Sequence, residues 1–433
     1  PPPRKGGHDR PGARRWAVRS TAGGAMKEGD KRKSPADEIT SPPLHQSSLG
    51  SKGETRAAKR QRTNDGAKRP SLHGDGRFRA VAESDPAIPS TSGESKQTAP
   101  PRPSPGSRPD DKAGHLVYEL GGSVTPRYKI LSKLGDGTFG RVLECWDREK
   151  KQYVAIKVIR NVPKYREAAY MEIDILKQLG QKDTAGKRHC LVYSYFEYQG
   201  HVCMVFERLG MSLYEFLRKN HYKPFKMELV RDFARQMLRS VAFLHNLRLV
   251  HTDLKPENIL LVSNDYTKEP CPPGASAVRV PVSSKIKLID FGNATFDYQY
   301  HCSVVSTRHY RAPEVVLGLG WTYPCDVWSI GCILLELLTG EALFQTHDNL
   351  EHLAMMEAVL GAIPASVAKL ADEKISSAQY FKSDNSLVWP QGASRESVRA
   401  VRRMLPLAGI VARVDRSALG PPMADLLKRM LDY

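Results

Sequence analysis

Asp326–Leu338, DVWSIGCILLELL, is apolar on almost every face of the helix it predicts, and Gly340 follows to stop it. A helix with no solvent face belongs in the middle of a helical lobe, so the rest of the chain must surround it. Upstream the texture is different. Residues 127–133, 141–146 and 153–159 are short β-rich runs separated by Gly-rich or charged turns, which predicts a β-meander. The pattern then predicts a helix over 165–179 and two further strands over 190–197 and 201–206. Over 228–245, Val230, Phe233, Met237, Val241 and Leu244 recur at intervals of three or four, giving a long helix with one buried stripe. A strand-rich half therefore precedes a helix-rich half, an α+β arrangement with no internal repeat.

The first 110 residues read as something else. They carry 22 Lys/Arg against 12 Asp/Glu and 15 of the chain's 30 prolines, with almost no aromatics and no sustained apolar period. Such a segment cannot bury enough surface to offset the entropy of ordering it, so residues 1–110 are expected to be a disordered basic tail and 111–433 the folded body. Lys59-Arg60-Gln61-Arg62 with Lys68-Arg69 resembles a nuclear localisation signal or a weak RNA contact, against the plainer reading of solvated charge. Ser34-Pro35, Ser41-Pro42 and Ser104-Pro105 are candidate proline-directed phosphoacceptors. The apolar runs are too short for a membrane-spanning helix, and PPPRKGGHDR lacks the charged-then-apolar pattern of a secretory signal. Seven dispersed cysteines without a C-x-x-C argue against a disulfide framework and a zinc site. A cytosolic or nuclear protein is expected.

Five motifs carry chemistry. Leu134-Gly135-Asp136-Gly137-Thr138-Phe139-Gly140-Arg141-Val142 is a G-x-G-x-x-G-x-V loop between two strands, whose glycines let backbone amides approach a triphosphate. In a dinucleotide-binding fold a helix would follow, whereas RVLECW reads as a strand. Lys157 follows on the run VAIK, placed to neutralise phosphates, and Glu172 on the next helix is the candidate to hold its stem. In His251-Thr252-Asp253-Leu254-Lys255-Pro256-Glu257-Asn258, Asp253 supplies a carboxylate for a hydroxyl proton, Lys255 a cation for the migrating phosphoryl and Asn258 an oxygen for Mg²⁺. Asp290-Phe291-Gly292 adds a second hard ligand at a strand end, and Ala312-Pro313-Glu314 closes the segment. Together, in this order and at these intervals, they are not an accident of composition.

This set resembles the signature of eukaryotic protein kinases over residues 111–433. Glu351-His-Leu-Ala-Met-Met-Glu357 is similar to the EHLAMMER motif of the LAMMER, or CDC-like, kinases in the CMGC group, with Ala358 where the arginine should stand. His-Thr-Asp at 251–253, VSTRHYRAPE from Val305, FERLG from Phe206 and DDKAGH from Asp110 are also similar to that family, most of all to plant-type members. Read without it, Leu353, Met356 and Leu360 form a buried helix stripe.

The resemblance implies a two-lobed fold, with an N-lobe of about 128–207 and a C-lobe of about 208–433, and ATP with Mg²⁺ between them. It implies that Lys157 braced by Glu172 holds the phosphates, that Asn258 and Asp290 ligate the metal, and that Asp253 is the base assisted by Lys255. Ala155 and Phe206 would line the adenine site, with Glu207 and Leu209 offering hinge backbone bonds. Thr307 and Lys255 are of the serine/threonine kind, and 263–285 resembles the family's insert. A monomeric nuclear kinase acting on Arg/Ser-rich splicing factors, with tyrosine autophosphorylation, is the implied role. Such kinases continue past a helix like ADLLKRMLDY with an Asp-Pro-x-x-Arg turn and a final helix, so the last C-lobe segment is expected to be missing, leaving Glu314 without its usual arginine. The competing readings are a pseudokinase scaffold, which a lost Lys157, Asp253 or Asp290 would signal, and an RNA-associated protein, which needs an aromatic platform that Trp16 and Phe78 alone do not make.

Overall fold

Gly340 sits in the left-handed region at φ 86° and ends the helix that the sequence singled out. A Cβ there would lie 2.0 Å from the Tyr222 carbonyl oxygen, so only glycine lets the lobe close at this point. The computed structural model describes residues 110–183, 189, 191–270, 277–374 and 380–433. The localisation-like cluster, the Ser-Pro sites, Trp16 and Phe78 lie outside these residues, as do Cys190 and Cys271.

The meander is β1 (Tyr128–Asp136), β2 (Gly140–Asp147) and β3 (Gln152–Ile159). After α1 (Pro163–Lys182), β4 (Val192–Tyr198) and β5 (His201–Glu207) complete a five-stranded sheet of order β1-β2-β3-β5-β4. β4 begins two residues later than its apolar pattern suggested. One face of the sheet buries Ile130, Leu143, Val154, Ile156 and Val205 beneath Leu116 and Val124 of the preceding segment, and the other packs Ile159 and Met204 against Ala169 and Ile173 of α1.

The chain then turns helical: α2 (Leu213–Lys219), capped by the Ser212 side chain, and α3 (Met227–Asn246). The five stripe residues of α3 are all buried, each contributing about 1.5–3 kcal/mol relative to exposure. Short ribbons follow: β6 (Leu249–Val250), β7 (Ile259–Leu261), β8 (Tyr266–Glu269), β9 (Val278–Pro281), β10 (Ile286–Leu288) and β11 (Thr295–Phe296). β6 pairs with β11 and β7 with β10, while β8 and β9 form a hairpin inside the segment read as an insert.

The remaining helices are α4 (Pro313–Val316), α5 (Pro324–Thr339), α6 (Asn349–Leu360), α7 (Ala365–Lys374), α8 (Arg395–Arg403), α9 (Leu407–Val414) and α10 (Gly420–Met430). α5 buries residues on every face, in the middle of the helical lobe. α6 carries the EHLAMME run and buries more than the expected stripe: His352, Ala354, Met355 and Val359 join Leu353 and Met356, whereas Leu360 is only partly covered. The last predicted helix ends sooner than expected, at Met430. Tyr433 leaves the helix to donate its hydroxyl to the Gly361 carbonyl at 3.0 Å, with its ring beside Trp328. No helix among the described residues is long and apolar enough to cross a membrane, and Cys145, Cys203, Cys302, Cys325 and Cys332 are free thiols.

Candidate active site

A cleft of about 650 Å³ opens between sheet and helices, lined among others by Leu134, Gly135, Asp136, Gly137, Phe139, Gly140, Val142, Ala155, Lys157, Phe206, Glu207, Leu209 and Asp290. The three loop glycines serve different ends. A Cβ on Gly140 would come within 2.2 Å of the Val158 carbonyl oxygen, so packing alone requires glycine there; Gly135 meets nothing within 4 Å and Gly137 only the Gly140 oxygen at 3.7 Å. Gly135 and Gly137 therefore keep space open rather than fit a neighbour, as a loop does that must let a phosphate chain reach its amides. Thr138 and Arg141, both expected in the binding set, are not among the lining residues. The Arg141 guanidinium instead bonds Asp136, Asp111 and the Leu116 carbonyl.

Deep in the cleft, Lys157 Nζ donates to Glu172 Oε1 and Oε2 at 2.9 and 2.8 Å and to Asp290 Oδ1 at 3.0 Å. Strand β3 fixes its backbone and α1 presents the buried Glu172, which restrains a stem that would otherwise be free. Burial alone would depress the lysine, but the two carboxylates hold its ammonium above the usual lysine range. Asp290 is likewise desolvated, yet Lys157 holds it below the ordinary carboxylate range. Both groups therefore stay charged.

Asp253 faces a dense donor set: Lys255 Nζ at 2.7 Å, and the Thr307 hydroxyl and backbone N–H at 2.7 and 3.2 Å. Lys255 also lies 3.2 Å from the Thr307 hydroxyl. Asn258 donates its amide N–H to the Asp253 carbonyl at 2.9 Å and accepts the Ile289 N–H at 3.0 Å, which places it beside Asp290. The amide oxygen of Asn258 and the Asp290 carboxylate, 32% exposed, are hard donors of the kind a small divalent ion takes. Among the described residues no three His, Cys, Asp or Glu side chains form a metal cage.

The residue that sequence reasoning missed is Asp326. Buried at the start of α5, it accepts the backbone N–H groups of His251 and Thr252 at 2.8 and 2.9 Å, and His245 Nε2 lies 3.0 Å away. It thereby holds Thr252, a β-branched residue at φ 67°, in a conformation that costs about 1–3 kcal/mol. Asp290 and Ser306 are also left-handed, at φ 64° each, so strain gathers where the two loops meet. The only sequence signal was a carboxylate at the start of a largely apolar helix, whose other carboxylate, Glu336, stands near its end.

The segment before Ala312 is ordered by side chains that donate to backbone carbonyls. The Thr252 hydroxyl donates to the Asn293 carbonyl at 2.8 Å, Ser306 donates to the Thr252 carbonyl at 2.9 Å, and Arg311 donates to the carbonyls of Val305 and Ser306. With an uncharged Thr252 before Asp253, there is no arginine there to capture a phosphate. Activity is therefore expected not to depend on phosphorylation between Asp290 and Glu314 by another kinase. A phosphatase-treated sample that falls silent and recovers only with an upstream kinase would refute this. Glu314 is half-buried, burial raises its carboxyl, and no ion pair reaches it among the described residues.

Residues 128–433 match the protein kinase domain family. A phosphate-ready loop, a braced lysine and a paired set of acidic and amide oxygens between a β-rich lobe and a helical lobe define a protein kinase. The chain is 55% identical over 344 residues to the serine/threonine-protein kinase AFC1 of Arabidopsis thaliana, covering 77% of this chain and 73% of that kinase. It is 45% identical over 331 residues to the dual specificity protein kinase CLK2 of Homo sapiens, covering 75% and 64%. A solved kinase-domain crystal structure superposes with a TM-score of 0.68 at 39% identity, over 74% of this chain and 94% of that one. The chain belongs to the LAMMER family of protein kinases.

Proposed function

We propose that the chain transfers the γ-phosphoryl of MgATP to serine and threonine hydroxyls of Arg/Ser-rich splicing factors in the nucleus, and to its own tyrosines. The observation that carries the transfer is Asp253, with Lys255 and the Thr307 hydroxyl each 2.7 Å from its carboxylate: a proton acceptor, a cation and a hydroxyl already gathered at one point. The nucleotide supplies the phosphoryl group and Mg²⁺ neutralises its charge. Lys157, held by Glu172, orients the phosphates; Asp290 and Asn258 would hold the ion; Asp253 takes or orients the proton of the incoming hydroxyl while Lys255 balances the charge on the migrating group. Positioning and electrostatics carry most of such a reaction. The dual specificity named for the CLK2 relative favours the tyrosine reaction as well.

Glu257 supports the choice of substrate. It is exposed at the cleft, next to the catalytic loop, while partial enclosure raises its carboxyl. A carboxylate beside the phosphoacceptor favours an arginine through charge-assisted, often bidentate hydrogen bonds. Labelled MgATP offered with an Arg/Ser-rich peptide beside a neutral peptide tests the reading; incorporation into neither, by folded protein, ends it. Glu257→Ala is expected to reduce the preference for arginine-bearing peptide, measured as the ratio of kcat/KM values. An unchanged ratio would show that another residue reads the arginine.

The nuclear placement rests on the basic cluster at 59–69, and imaging a tagged chain with those five Lys and Arg replaced tests it. Monomeric action and weak RNA contact through the basic tail complete the reading; sedimentation of the purified chain and a salt titration of RNA binding address each.

A further inference from the structure

The loop over the cleft is tied to a segment that lies outside the sheet. Arg141, directly after Gly140, donates from Nε to Asp136 Oδ1 at 3.1 Å, from Nη2 to Asp111 Oδ2 at 3.1 Å and from Nη1 to the Leu116 carbonyl at 3.0 Å. Arg160, just beyond β3, repeats the pattern: it donates from Nη1 to the Thr138 carbonyl at 3.1 Å and from Nε to the Ala113 carbonyl at 2.7 Å. Both guanidinium groups thus join the loop to residues 111–116.

That segment is itself held at several points. Asp111 Oδ1 accepts the N–H groups of Ala113 and His115 at 2.9 Å each, closing a tight turn. Asp110 meets His201 Nε2 at 2.9 Å and Asn161 Nδ2 at 3.1 Å, and the Asn161 N–H reaches the Gly114 carbonyl at 2.8 Å. Leu116 is buried in the sheet's own core. The anchor is therefore tied by side chains at several points, whereas the loop has at Gly135 and Gly137 no side chain to hold it.

We propose that Asp111 and Arg141 are positioning residues that hold the glycine-rich loop ready for the triphosphate, so that the segment Asp110–Leu116 sets nucleotide affinity. This rests on the reading of the cleft as the ATP site. A glycine-rich loop loses much conformational freedom when it closes on a ligand, and restraint imposed beforehand lowers that loss. Exposed ion pairs contribute little on their own. This one is different in kind: three partners on two segments share one planar fork, with Arg141 and Asp111 side chains only 24% and 33% exposed.

The test uses the full chain and measures affinity for a non-hydrolysable ATP analogue by calorimetry beside the KM for ATP. Asp111→Asn keeps an oxygen for the Ala113 and His115 caps while removing the charge that faces Arg141. It is expected to weaken analogue binding and raise the ATP KM by about tenfold, with kcat within about twofold and the peptide KM unchanged. Arg141→Lys, whose single ammonium cannot span the three partners, should show the same split. In the double variant the effects should fall short of the product of the two, as for residues in one network. Amide exchange over 135–140 should quicken in each. Arg127→Ala is the comparison, because it breaks an ion pair with the buried Asp147 at 2.7 Å in the same lobe without touching the loop. Unchanged analogue affinity in Asp111→Asn, or an equal loss in Arg127→Ala, overturns the proposal. A chain that binds the analogue but transfers nothing would remove the transfer reading and leave this measurement standing.

Discussion

Asp253→Asn and Asp290→Asn are each expected to remove nearly all phosphoryl transfer, for different reasons. At Asp253 the amide cannot take a proton from the incoming hydroxyl, and Lys255 and Thr307 lose the charged acceptor they share at 2.7 Å. Loss of a general base costs about 10²–10⁴ in rate. Nucleotide affinity should survive, because Asp253 takes no part in the Lys157 cluster. At Asp290 the amide gives up both the ion pair with Lys157 and the harder of the two oxygen donors, so metal-dependent nucleotide binding should weaken together with turnover. Kinetics at saturating ATP, with calorimetry in the presence and absence of Mg²⁺, separates the two. Full activity in either variant, with folding verified, would mean that the site lies elsewhere.

Asp326→Ala is expected to have the larger effect on stability. The substitution leaves two buried backbone N–H groups, those of His251 and Thr252, without an acceptor, at about 1–3 kcal/mol each. It also removes the acceptor of the Thr252 N–H, one of the bonds that hold this residue in its left-handed conformation. Set against a usual domain stability of about 5–15 kcal/mol, the lobe should lose a large share of its margin. Asp326→Asn keeps one acceptor oxygen and so should melt between the parent and the alanine variant, while still losing kcat because the catalytic loop no longer has both N–H bonds. Urea midpoints and kcat measured on the same preparations decide the matter; an alanine variant with the parent's midpoint and turnover would show that Asp326 only fills space.

Local patterns made much of this molecule legible. The short β-rich runs on either side of the Leu134–Val142 loop and around Lys157, and the period of α3 from Val230 to Leu244, are each set by residues close together in the chain, so its own spacing reveals them. The motifs also specified which groups should meet: Lys157, Glu172 and Asp290 do converge, although 133 residues separate the lysine from Asp290. What stayed hidden depends on distant partners. Asp326 reads as a stray charge in an apolar helix until the His251 and Thr252 amides, about seventy-five residues earlier, are seen to point at it. Arg141 reads as part of the nucleotide loop because its motif position says so, but its reach is decided by a segment that shows only a weak apolar pattern, Asp110–Leu116. The end of α10 was misjudged for a related reason: ADLLKRMLDY is helical by propensity to its last residue, and the contact of Tyr433 with Gly361 on another element overrides it.

The pairing of β6 with β11 and of β7 with β10 has a mechanical consequence. The loop carrying Asp253 and the loop carrying Asp290 are fastened to each other on both sides, and the Ile289 to Asn258 bond closes the gap between them. They form a ring without slack, seated on α5 through Asp326. If the lobes swing apart to release spent nucleotide, the base and both metal-binding oxygens travel as one piece with the helical lobe, while Lys157 and the glycine loop travel with the sheet. The 3.0 Å contact between Lys157 and Asp290 is then the latch of the hinge, and a probe that watches this one distance would report each opening of the enzyme during turnover.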